Sequence, residues 1–142
     1  MLFRSGGWLA WVVRVDDIAP IEQRLGRPAR PGHRRRPDGF DLRWHQIGVN
    51  DLAEDPQLPF FVQWESDDRH HPSAGGSDVT LRRVEIAGEE NVVDDYLGVS
   101  AARAPFDGVQ VDWLSPLRGY SDDDAGLVAA VFDTPNGEVR LD

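Results

Sequence analysis

Two periods of apolar and polar alternation run through this chain, and the switches between them divide it into elements. Residues Trp8 to Val15 (WLAWVVRV) are mostly β-branched or aromatic, with Leu9, Ala10 and one arginine among them, the composition of a strand. Asp16-Asp17 then offers an N-cap, and IAPIEQRLG reads as a short helix. Pro20 falls in its first turn, where a missing N–H costs little, and Gly26 is its stop signal. Residues 27–32 (RPARPG) read as a loop. A hairpin follows, His33–Arg36 and Phe40–Gly48 joined by Pro37-Asp38-Gly39. Asn50–Gln57 is polar and loop-like, and Leu58–Glu65 is a nearly continuous apolar strand.

The pattern then recurs. Residues 66–77 (SDDRHHPSAGGS) read as a linker, Val79–Ile86 as a strand, and Glu89–Leu97 as a helix closed by Gly98. Val109–Leu114 alternates as a strand, residues 115–125 form a loop, and Gly126–Asp133 is a further strand. The turn Thr134-Pro135-Asn136-Gly137 leads into a last strand, Glu138–Asp142. The expectation is an α+β fold of two βαβββ modules, residues 6–77 and 78–142, after a tail at 1–5. One module leaves a sheet face bare. Two together would curve a mixed sheet around a cleft, with helices on the convex side and a ligand on the concave one.

Composition narrows the function. The chain has 142 residues, 40% apolar, with five Trp and six Phe, enough for a packed core. A formal charge of −10 opposes non-specific nucleic-acid binding. All 15 basic residues are Arg, as a GC-rich genome would favour, and the lack of Cys removes disulfides, thiolate metal sites and cysteine nucleophiles. No run reaches the roughly 20 apolar residues of a membrane span, and no signal-peptide h-region is evident, so a cytoplasmic location without membrane contact is expected. Leu2-Phe3-Arg4-Ser5 is what a common short-read sequencing adapter encodes. The expectation is therefore a non-native tail, native sequence from near Gly6, and a missing upstream module.

Four stretches, GWLAWVVRVDDI, RRRPDGFDLRW with PFFVQW, His71-Pro72, and VFDTPNGEVRL, resemble the glyoxalase-like domain proteins of the vicinal oxygen chelate superfamily. That resemblance implies metal ligands on the first and fourth strands of each module, usually His, Gln or Glu, able to polarise an oxygen-chelating substrate. Here the corresponding positions hold Ala10, Gln63, Arg83 and Arg140. A methyl group, an amide and two guanidiniums cannot hold a divalent ion. The resemblance thus implies a small-molecule-binding domain with no metal and no cofactor of its own.

If Ala10 faces the cleft, alternation sets Trp8, Val12 and Arg14 beside it, with Leu9, Trp11, Val13 and Val15 under the helix. Arg14, Arg83 and Arg140 would then converge with Gln63 on a small anionic ligand. The simpler alternative is that these arginines pair with Glu85, Glu65 and Asp133. Trp44 shares a face with Phe40 and Leu42, and serves either the core or a ligand wall. Arg34-Arg35-Arg36 reads as a solvated hairpin arm, with a phosphate patch as the alternative. His70-His71 should point opposite ways and share no ion. His45 has no acidic neighbour in sequence, and the acidic runs Asp94-Asp95 and Asp122-Asp123-Asp124 read as solvated surface. No Ser-His-Asp constellation or glycine-rich phosphate loop is present, so the reaction stays open. The candidate ligand residues are Trp8, Arg14, Trp44, Gln63, Arg83 and Arg140. Two other readings remain: a metal-dependent lyase, isomerase or dioxygenase whose ligands lie in a missing module or a partner chain, and an assembly half that pairs as a homodimer or with a missing module.

Overall fold

A computed structural model describes residues 8–51, 54–100, 108–114 and 125–142. The tail at 1–5 and the acidic run Asp122-Asp123-Asp124 lie outside them. The element order is β1 (Val12–Arg14), α1 (Ala19–Leu25), β2 (Arg30–Arg35), β3 (Asp41–Ile47), β4 (Phe60–Trp64), β5 (Thr80–Ala87), α2 (Glu90–Leu97), β6 (Gln110–Leu114), β7 (Gly126–Thr134) and β8 (Gly137–Leu141). This is an α+β fold in which βαβββ occurs twice. The chain divides into two compact units. One comprises Val12–Asn50 and Pro59–Ser77; the other comprises Asp78–Asp142, the stretch ending at Trp11, and Asp51–Leu58.

In the first unit the strand order is β1-β4-β3-β2. β1 runs parallel to β4, and the other pairs are antiparallel. Strand pairing is shorter than the apolar run suggests, because β1 meets β4 only from Val12 opposite Phe60 to Arg14 opposite Val62. Upstream, Trp11 sends its indole N–H to the carbonyl of Gln57, 2.9 Å away and outside this sheet. The other end of the sheet is longer than expected. β2 takes in Arg30-Pro31-Gly32, which read as loop, because it is an edge strand where Pro31 lacks no needed partner. The turn between β2 and β3 has Gly39 at φ 87°, the left-handed region that suits glycine.

α1 lies over the sheet face that carries Ile47 and Phe61, and both are buried together with Ile18 and Ile21. Pro20 stands in its first turn, and Gly26 at φ 63° sends its N–H to the carbonyl of Glu22. Asp17 accepts from the Ala19 N–H at 3.0 Å, but the cap position itself is Ile18.

The second unit repeats the element order with a different strand order, β6-β5-β7-β8. Here the module's first strand is central, parallel to β6 and antiparallel to β7. The reason lies in the strands: β5 has eight residues, with Val84, Ile86 and Ala87 buried, whereas β1 has three and stays at an edge. α2 buries Val93 and Leu97, and ends at Gly98, whose N–H reaches Asp94 O at 2.8 Å. Among the described residues no helix is long and apolar enough to cross a membrane.

Candidate functional site

Strand register sorts the first unit's side chains onto two faces. Val12 opposite Phe60, Arg14 opposite Val62, Gln46 opposite Val62 and Trp44 opposite Trp64 share one face. Phe61 and Gln63 are on the other, beneath α1. The first face lines an open cavity of about 530 Å³ walled by Val12, Phe60, Val62, Trp44 and Trp64, with Arg14, Gln46 and His71 supplying polar groups.

The aromatic wall is held by specific contacts. Trp44 and Trp64 lie 5.4 Å apart between ring centroids, tilted at 59°. Trp44 donates its indole N–H to the Gln46 Oε1 at 2.8 Å, which leaves the Gln46 amide NH2 as donor. Gly32 lies across from Trp44 in β2. A Cβ there would stand 2.4 Å from the Trp44 Nε1, so glycine is what lets the indole lie flat on the sheet.

His71 closes one side, edge-on to Trp64 at 5.0 Å. Its Nδ1 accepts from the Ser73 N–H at 3.1 Å and lies 2.6 Å from the Ser73 hydroxyl, so the proton belongs on Nε2. Burial lowers the His71 pKa, and the nearby Arg14 charge lowers it further against the opposing pull of Asp68. The ring is therefore neutral at pH 7. Arg14 makes an ion pair with the exposed Asp68, using one of five N–H donors.

Of the expected ligand residues, Arg14 and Trp44 come together on this face. Gln63 does not: its Oε1 accepts the backbone N–H of Ile18 at 2.9 Å and so caps the start of α1. Alternation alone accounts for this, since Gln63 is one residue from Val62 and from Trp64. Trp8 is not beside Arg14 in β1. It belongs to the second unit, where its indole N–H meets Leu141 O at 3.1 Å.

Arg83 and Arg140 do converge, on a face of the second unit that is rich in acids. Both stand opposite Val131, one from each side. Arg140 Nη2 lies 2.7 Å from Glu85 Oε2, and its Nη1 lies 2.8 Å from Asp142. Those hydrogen bonds, first to Glu85 and then to Asp142, raise its pKa. Arg83 lies within 3.7 Å of Glu85, 3.5 Å of Asp112 and 3.4 Å of Glu138. Four carboxylates around two guanidiniums leave excess negative charge, and Glu85 is the partner that the simpler alternative named. Asp133 instead takes Arg82, at 3.0 Å.

Pairings invisible in sequence also emerge. His45 of β3 meets Glu65, the residue after β4, at 2.8 Å, a partner brought by the sheet rather than by sequence proximity. His70 and His71 part company, His70 stacking on Phe40 at 3.8 Å while His71 turns to Trp64. Among the described residues no three His, Asp or Glu side chains gather as a metal site.

A repeated βαβββ architecture with an aromatic cavity on a sheet face defines a class of domains that enclose small molecules or their reactions. A family model for the glyoxalase-like domain matches residues 2–97, and the chain belongs to that family. β6, β7 and β8 lie beyond the matched stretch. No curated protein and no solved structure matches the chain.

Proposed function

We propose that this domain binds a planar, largely apolar small molecule with one anionic group, in the cavity on the Trp44 face of β1, β4 and β3. The observation that carries the reading is the wall itself: two tryptophans, a phenylalanine and two valines from three strands line an open space sized for a single small ligand. Stacking and burial supply the affinity. Orientation comes from Arg14, the Gln46 amide and the neutral Nε2–H of His71, all donors, which suit a carboxylate or an enolate oxygen. The ligand's anion competes with Asp68 for Arg14, so the polar contact contributes selectivity more than strength. This reading needs neither a metal nor Arg83 and Arg140, whose charge Glu85 and its acidic neighbours answer.

Because Trp44 and Trp64 line the cavity, their fluorescence reports its occupation. Titration with a panel of aromatic carboxylates should give saturable quenching by at least one member, and Arg14→Ala should weaken that member more than its uncharged amide analogue. Calorimetry with Mn, Zn and Ni tests the metal-free reading of this chain: stoichiometric binding of any of them to the purified chain overturns it.

A further inference from the structure

Beside the aromatic cavity, on the far side of His71 and Pro72, a second recess of about 590 Å³ is lined by Arg34, Arg36, Arg69 and His70, with Leu42 and Pro37 among its apolar residues. We propose that this recess binds a phosphate group, free or as a small monoester. It is independent of the ligand proposed for the aromatic cavity.

The hairpin and the segment after β4 build it together. Arg34 stands opposite Leu42 in the β2–β3 register and so shares its face, while Arg35, one residue on, points to the other. Arg36 follows at the hairpin turn, where it pairs with Asp38 at 2.8 Å. From the opposite side comes a 3-10 turn, Asp68–His70, capped by Asp67, which accepts from the Arg69 N–H at 3.3 Å. Arg69 pairs with Asp67 at 3.0 Å. Stacking of His70 on Phe40, with rings 3.8 Å apart and 22° from parallel, fixes the turn against the hairpin.

Charge decides the ligand class. Asp38 and Asp67 each hold one guanidinium, but Arg34 makes no ion pair among the described residues. One positive charge is left over in a chain of net charge −10, where carboxylates outnumber arginines elsewhere. The free fork of Arg34, with the N–H groups that Arg36 and Arg69 do not spend on Asp38 and Asp67, offers more donors than a carboxylate's two oxygens readily accept, and a phosphate has further oxygens to take them. The acidic whole disfavours a long polyanion. A compact dianion fits both constraints.

Calorimetry with inorganic phosphate and with phenyl phosphate, at constant ionic strength, tests this. The expected result is saturable binding of one equivalent, weakened at least tenfold in Arg34→Gln and in Arg69→Gln, and unchanged in Arg35→Gln. Tighter binding of phenyl phosphate that persists in Trp44→Ala identifies an ester as the ligand of this recess; equal binding identifies free phosphate. A response linear in phosphate, wild-type affinity in Arg34→Gln, or an equal loss in Arg35→Gln overturns the proposal. Should Arg34→Gln lose its near-ultraviolet circular dichroism, Arg34→Lys keeps the charge without the fork. It should lose affinity severalfold, and unchanged affinity there counts against the site. Trp44→Ala should leave phosphate binding intact, which separates failure here from failure of the aromatic cavity.

Discussion

At the residue scale, the positions that shape the cavity are small ones placed against large ones. Gly32 has no strained backbone angle; what it provides is room for the Trp44 indole. Gly32→Ala should therefore cost about 1–3 kcal/mol in urea denaturation, as overpacking does, and should blue-shift or broaden the tryptophan emission as Trp44 moves. His71 gives a pH prediction with a definite sign. Its pKa is lowered in the folded chain by burial and by Arg14, so the unfolded chain takes up the proton first. Its contribution is intact above the ordinary value of 6.5 and is lost as pH falls through the lower, folded value. Melting temperature measured from pH 7.5 to 5.5 should fall less steeply in His71→Gln than in the wild type; identical slopes would remove His71 from the account. Neither Trp44 on Gly32 nor His71 beside Arg14 can be read from spacing, because each depends on which residues face one another across strands. Trp44 sharing a face with Leu42 was legible, since that follows from alternation alone.

Elements show the same division between local and distant information. Both helix ends were readable from Gly26 and Gly98, whose left-handed angles close the helices. Both helix starts fall within one residue of the expected ones, but what caps them was not readable. Ile18 and Glu89, the cap residues, offer no side-chain cap of their own. A glutamine from elsewhere fills in each time: Gln63 Oε1 accepts from Ile18 N–H at 2.9 Å, and Gln57 Oε1 from Glu89 N–H at 2.7 Å. Gln63→Ala should thus lower stability by about 1 kcal/mol, in the range of a lost cap, without changing ligand affinity. A large affinity loss at unchanged stability would return Gln63 to the ligand site. Strand order was also hidden. Two modules with one element order pair their strands differently, because β5 is long and buried enough to accept neighbours on both edges and β1 is not.

At the scale of the whole molecule, the charges sort by unit. Arg14 stands at the aromatic cavity of the unit formed by Val12–Asn50 and Pro59–Ser77, while Arg83 and Arg140 sit among Glu85, Asp112, Glu138 and Asp142 of the other. The repeat of βαβββ and the family were legible because they rest on periodicity and on motifs spread along the chain. The charge sorting was not, since only folding decides which acid answers which arginine. The central claim is that the small-molecule site is the Trp44 face rather than the paired arginines. The most direct measurement is fluorescence or calorimetric titration of the best aromatic carboxylate into Trp44→Ala and Arg140→Ala side by side. The account predicts at least tenfold weaker binding in Trp44→Ala and unchanged affinity in Arg140→Ala. Affinity lost in Arg140→Ala and retained in Trp44→Ala would contradict it.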